Sequence, residues 1–192
     1  MCCGRFFAGD GEARLCGECL TEPPPFSRHR SAGAYDGVLR GLILVFKYGR
    51  VQALGGLLAD FMCRAPALQG EDIFAGVDYV VPVPLHRRRR RQRGFNQALV
   101  LGRELAKRKR LRVLARGLVR VRESPPQASL DARERGRNIR GVFRPGKRRQ
   151  LKGKTILLVD DVYTTGATVR ECSLALLKAG AAEVRVVTVA RA

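Results

Sequence analysis

Thirteen residues late in the chain, Ile156-Leu-Leu-Val-Asp160-Asp161-Val-Tyr-Thr164-Thr165-Gly166-Ala167-Thr168, gather the side chains best suited to chemistry. An apolar run leads into two acids, and a short hydroxyl-rich turn leads on into a helical pattern. At the carboxyl end of a parallel strand, such a turn offers backbone N–H groups at a helix N-terminus to a phosphate. Gly166 allows close approach, and Thr164, Thr165 and Thr168 add hydroxyl donors around Ala167. Asp160 and Asp161 cannot bind that phosphate themselves. Adjacent carboxylates suit accepting hydrogen bonds from vicinal sugar hydroxyls, directly or through a hydrated Mg²⁺. One end of the segment fits a phosphate and the other fits a sugar.

Two known arrangements share parts of this pattern. A response-regulator receiver also opens with a strand ending in two acids, but it needs many more residues than the 31 after Asp161. A Walker B strand also ends in acids, but the chain has no G-x-x-x-x-G-K-[ST] loop. A plain capped helix after a buried strand explains one Asp and one Thr, not the full set.

Periodicity gives the scaffold around these residues. Thr155 to Val159 is a continuous apolar run with β-branched residues, as expected for a strand buried on both faces of a parallel sheet. A helix then runs to Gly180, and Val184 to Val189 is the last strand, completing a βαβ unit. Upstream, Tyr79 to Pro84 is a short β-rich run passing into a loop that carries Arg87 to Arg91, and Phe95 to Arg108 is an amphipathic helix. Leu118 to Val121 is a brief strand. Arg122 to Lys154 is polar, basic and aperiodic, the mark of a lid or binding segment. Before the first strand, helical spacing predicts one helix from Asp36 to Gly49 and a second through Leu54, Leu58 and Met62. The alternation implies an α/β fold with a mainly parallel sheet.

At 192 residues and 45% apolar content, the chain suffices for one core domain with a small appendage. The longest uncharged apolar run, Gly41 to Phe46, is too short to span a bilayer, and the MCCGRFF start lacks signal-peptide character. A cytoplasmic protein without membrane insertion is expected. Four of the six cysteines, Cys2, Cys3, Cys16 and Cys19, fall in the first 19 residues. Such clustering in a cytosolic chain points to structural Zn²⁺, with Cys16-Gly-Glu-Cys19 as one half of a knuckle. The proline stretch Glu22 to Pro25 then reads as a linker, giving an N-terminal segment 1–25 and a main domain 26–192. The net charge is +20, and residues 85–154 hold 25 of the 37 Lys and Arg against four acids. That segment alone nets +21, which predicts a polyanionic partner without choosing among pyrophosphate, nucleotide, DNA and RNA.

The pattern from Ile156 to Thr168 resembles the motif with which type I phosphoribosyltransferases bind PRPP (phosphoribosyl pyrophosphate). The resemblance extends further. Val81-Pro-Val-Pro-Leu-His with Arg87 to Ala98 after it, Phe46-Lys47-Tyr48-Gly49, and Pro125-Pro126-Gln127 with Arg133 to Asn138 are similar to the ComF and GntX family signature. The family is bacterial and associated with DNA uptake or the use of DNA as a nutrient.

This resemblance implies a type I phosphoribosyltransferase fold with a hood at about 26–76 and a core at about 77–192. PRPP and Mg²⁺ are the implied ligands, with Asp160, Asp161, Thr164, Thr165, Gly166, Ala167 and Thr168 holding the ribose 5-phosphate part. Arg89 and Arg93 are the implied pyrophosphate residues, while Arg87, Arg88, Arg90 and Arg91 read equally well as a solvated basic surface. The stretch from Ser124 to Phe143 resembles the flexible catalytic loop, with Arg133 and Arg137 as catalytic candidates beside Gln127 and Asn138. The resemblance implies an enzyme that transfers the phosphoribosyl group of PRPP to an acceptor with no readable code, releasing pyrophosphate, with competence-machinery proteins and a second copy of the chain as partners; the alternative is a non-catalytic PRPP- or nucleotide-sensing module whose +21 segment grips single-stranded DNA. His29 and His86 show no sequence partners and are given no catalytic role. The family knuckle carries C-x-x-C in both halves. Here Cys3 matches one cysteine of the first half, and its partner falls before Met1, leaving either an upstream start or Cys2 as a substitute.

Overall fold

The computed structural model describes residues 16–68, 73–122, 141–146 and 148–192. A short helix α1 (Gly17–Thr21) precedes the edge strand β1 (Arg28–Ala34) and helices α2 (Gly37–Tyr48) and α3 (Leu54–Leu68). Then come β2 (Tyr79–Pro82), α4 (Arg87–Arg93), α5 (Gln97–Lys109), β3 (Arg112–Val113) and β4 (Leu118–Arg120). The remainder is β5 (Phe143–Pro145), α6 (Arg148–Leu151), β6 (Thr155–Tyr163), α7 (Ala167–Lys178) and β7 (Glu183–Arg191). No helix of the described residues is long and apolar enough to cross a membrane.

Five strands form one parallel sheet in the order β1-β7-β6-β2-β3, and β4 pairs antiparallel with β5 apart from it. Its middle strands are buried on both faces, so their sequences show runs of apolar residues where a half-exposed strand would alternate. Ile156 and Leu158 of β6 face a core with Val169, Cys172 and Leu176 of α7, while Leu157 and Val159 face one with Phe46, Leu58, Met62 and Leu101. Helix α7 thus covers one face, and α2, α3 and α5 cover the other.

Connectivity decides where a ligand can sit. From β2 the chain crosses through α5 to β3 at one edge, and from β6 it crosses through α7 toward the opposite edge, although β2 and β6 are neighbours. The crossovers diverge at that pair and leave a crevice at the carboxyl ends of both strands.

The structure departs from the sequence reading in four places. Arg87 to Arg91 lie on helix α4, not on a loop, because unbranched arginine side chains favour helix and no core contact opposes it. Strand β6 does not end before the acids but runs through Asp160 and Asp161 to Tyr163, since β7 continues to pair with it as far as Arg191. Residues 28–34, inside the stretch read as a hood, form β1 and join the main sheet beside β7. The coreless stretch is also shorter, because Val142, Phe143 and Leu151 are buried beneath β5 and α6.

β1 is hidden in the sequence because its buried positions include polar residues. His29 and Ser31 are shielded from solvent, yet His29 Nε2 and both hydroxyls of Ser31 and Thr188 lie within 3.2 Å of one another. Mutual satisfaction makes that burial tolerable.

Candidate functional site

A cleft of about 240 Å³ opens at the divergence of β2 and β6. Asp160, Asp161, Thr164 and Thr168 line one side, and Arg89, Arg93, Asn96 and Gln97 line another. Lys47 from the last turn of α2 contributes a third wall.

The acids set the electrostatics. Asp161 is buried and its Oδ1 sits 2.8 Å from Lys47 Nζ, with only 13% and 15% of the two side chains exposed. Asp160 Oδ1 accepts a hydrogen bond of 2.9 Å from the Asp161 backbone N–H. Burial works against the Lys47 charge, but Asp161 and Asp160 outweigh it, so the Lys47 pKa is raised and the ammonium stays charged. Among the described residues no three His, Cys, Asp or Glu side chains form a metal cluster. Two hard carboxylates facing an open cleft nonetheless fit Mg²⁺, which binds through one or two protein carboxylates and completes its shell from ligand oxygens and water.

The turn after β6 is shaped by Tyr163. Gly166 has φ +74 and caps α7, and a Cβ there would collide with the Tyr163 hydroxyl and ring, so the position needs glycine for both backbone and space. Tyr163 itself stacks on His29 at 4.3 Å between ring centroids, and the Arg191 guanidinium lies 4.7 Å from its ring centre. Thr164 and Thr165 are exposed, while Ala167 and Thr168 are half-buried at the start of α7.

On the arginine wall, Arg93 is equally braced. Arg93 lies 5.1 Å from the centre of the Tyr48 ring and its Nη1 donates to Gln97 Oε1 at 3.4 Å. Asn96 caps α5 by accepting from the Ala98 N–H, and its Nδ2 donates to the Val83 carbonyl, tying the helix start to the end of β2. Gln97 is 2% exposed, and its Nε2 has no partner among the described residues. A buried donor left open on a cleft wall suits an acceptor-rich ligand.

The structure therefore brings together Asp160, Asp161, Thr164, Thr168, Arg89 and Arg93 from the residues read as functional. Arg87, Arg88, Arg90 and Arg91 point to solvent on α4. Gln127, Arg133, Arg137 and Asn138 lie outside the described residues, as do Cys2 and Cys3. Cys16 and Cys19 are buried side by side as a small cluster of their own. Sequence reasoning missed Lys47, Tyr48 and Gln97 as site residues. The signal for the first two was the Phe46-Lys47-Tyr48-Gly49 motif, which sends Phe46 into the core, Lys47 to Asp161 and Tyr48 onto Arg93.

Burial pushes the Asp160 carboxyl up to about 7, reinforced by the Asp161 charge, while the Asp161 N–H, Lys47 and Arg93 oppose the rise without cancelling it. In the unfolded chain the group titrates near its ordinary value of about 3.9. Between those values the folded chain keeps a proton that the unfolded chain has lost, so stability falls as pH rises toward 7. Asp160→Asn still accepts from the Asp161 N–H but removes the titration. Its melting temperature is expected to gain on wild type between pH 5 and pH 8, by about 2–4 °C for each kcal/mol recovered. A gap that stays constant over that range would show that Asp160 titrates normally.

Known proteins resemble this chain. Residues 96–192, which include β6, the acids and the turn, match the phosphoribosyl transferase domain. The DNA utilization protein YhgH of Escherichia coli O6:H1 is 36% identical over 175 residues, covering 89% of this chain and 75% of its own. Competence protein F of Haemophilus influenzae is 31% identical over 94% of this chain and 80% of its own, and competence protein ComFC of Bacillus subtilis is 27% identical over 81% and 60%. A solved Bacillus subtilis glutamine PRPP amidotransferase, complexed with ADP and GMP, superposes at a TM-score of 0.45 with 22% identity over 74% of this chain and 26% of its own. With the domain match spanning the acidic strand and its turn, and the relatives matching nearly the whole chain, this protein belongs to the ComF and GntX family of type I phosphoribosyltransferase-like proteins.

Proposed function

We propose that the cleft binds Mg²⁺-PRPP and that the chain transfers the phosphoribosyl group to an acceptor with release of pyrophosphate. One observation carries the reading: two carboxylates, Thr164 and Thr168 of the turn, Arg89 and the braced Arg93 line a single cleft at the divergence of β2 and β6. A sugar with a phosphate at one end and a pyrophosphate at the other needs that sequence of partners. The turn Thr164 to Thr168 takes the 5-phosphate, Asp160 and Asp161 take the ribose hydroxyls, and Arg89, Arg93 and Gln97 Nε2 take the pyrophosphate. Mg²⁺, when bound, neutralises charge on the leaving group. The bond from ribose C1 to the pyrophosphate oxygen breaks with its electrons leaving on pyrophosphate, and a lone pair of the acceptor forms the new bond. The chain's own contribution is positioning and electrostatic stabilisation, with Gln127, Arg133, Arg137 and Asn138 assigned to a closing loop by family resemblance.

Replacing both acids by Asn preserves shape and removes their charges. Hydrogen bonds to charged groups contribute roughly 1.5–3 kcal/mol each, so PRPP affinity should fall at least about tenfold. Calorimetric titration with PRPP and Mg²⁺ reads this directly. Equal binding by wild type and double mutant would remove the ribose role from the acids, and no binding by wild type would remove the PRPP reading itself.

A second activity, compatible with the first, is favoured by helix α4, whose Arg87, Arg88, Arg90 and Arg91 are exposed beside the cleft. This face suits single-stranded DNA, in keeping with relatives named for DNA utilization and competence. Few aromatic side chains accompany it, so binding should be weak, sequence-independent and steeply salt-dependent. Binding undiminished at several hundred millimolar salt would overturn it.

The N-terminal segment completes the proposal with one structural Zn²⁺ drawn from Cys2, Cys3, Cys16 and Cys19, in line with the adjacency of the latter two. Elemental analysis of protein purified without chelator should find close to one equivalent. Less than about a tenth of an equivalent would refute it, given the affinities of structural sites.

A further inference from the structure

Lys47 is an expensive residue to place where it is. Its side chain is 15% exposed, it comes from a helix that packs the core through Ile43 and Phe46, and its ammonium meets Asp161 at 2.8 Å. Withdrawing an ammonium from water is tolerable only with an opposite charge close by, and the charged groups facing it are Asp161, Asp160 and, unfavourably, Arg93. Phe46 anchors the turn of helix in the core and Tyr48 holds Arg93, so the backbone carrying Lys47 is fixed on both sides. The ammonium therefore stands against one of the two carboxylates that would collect a divalent cation.

We infer that Lys47 is a built-in counter-cation that keeps Asp160 and Asp161 from binding a divalent metal by themselves, so that the metal enters the cleft only as a complex with its phosphorylated ligand. The inference rests on reading the acids as the ligand-facing pair of the cleft. A dication at the carboxylates is repelled by an ammonium a few ångströms away, and this repulsion is strong in a partly buried site. A metal already carried by a polyphosphate arrives with its charge neutralised and meets no such barrier. Lys47 then remains within reach of the ligand's oxygens.

The test uses Mn²⁺ alone, monitored by the paramagnetic signal of the free ion, on wild type, Lys47→Gln, Lys47→Met and Lys47→Arg. Gln leaves Asp161 a hydrogen-bond donor and so tests the charge with little disturbance of the fold, while Met removes the donor as well. Wild type and the Arg variant should bind Mn²⁺ weakly. The Gln variant should bind at least about tenfold more tightly, and adding Asp160→Asn and Asp161→Asn to it should abolish the gain. Equal Mn²⁺ binding by wild type and Lys47→Gln, or a gain that survives loss of both acids, overturns the inference. A wild type that fails to bind PRPP with Mg²⁺ while Lys47→Gln gains Mn²⁺ would sink the PRPP reading and support the role of Lys47.

Discussion

Two neighbouring carboxylates partly withdrawn from water repel each other, and the architecture around the cleft answers that problem. Asp161 is met by an ammonium and Asp160 by a backbone N–H, while Arg93 adds positive potential from the facing wall. Each answer comes from a different element. Helix α2 must end where Lys47 reaches the strand, α4 must present Arg93, and β6 must continue past its apolar run to carry the acids. The same strand lies in the middle of the sheet, so the charged pair is held by the most deeply buried part of the fold.

Divergent crossovers explain why that strand and not another carries the site. The connections part between β2 and β6, leaving the carboxyl ends uncovered. The chain leaving β2 is basic, whereas the end of β6 is acidic and the turn beyond it is hydroxyl-rich. A single crevice thus acquires opposite charges on facing walls. Gln97 Nε2, buried and without a partner among the described residues, adds a further donor to the wall that Arg89 and Arg93 line.

Much of this is readable from residue order, for physical reasons that can be named. Ile156 to Val159 announce a strand buried on both faces, and the acid-turn-helix pattern beyond them is local in sequence, so its chemistry can be assigned without knowing any contact. Lys47 is not assignable in the same way: its partner is more than a hundred residues away, and a lysine near a helix end is ordinarily a solvated charge. β1 fails for a related reason, because His29, Ser31 and Thr188 look like surface residues until the strands that join them are paired. Arg87 to Arg91 are legible as charge but not as helix, since five like residues carry no periodicity. Val142-Phe143 and Leu151 are too few among the basic residues around them to signal a core.

The contacts of the Tyr163 ring with His29 and Arg191 give the first strand of the sheet a part in shaping the turn after β6, although β1 itself lies at the far edge. Tyr163 leaves no room for a side chain at Gly166, and the ring is held in place by one group from β1 and one from β7. The conformational entropy of the glycine-threonine turn is therefore lost when the sheet assembles. Fraying at the edge of the sheet would return that freedom to the turn, so the order of the turn is linked to how firmly the outermost strand stays zipped to its neighbour.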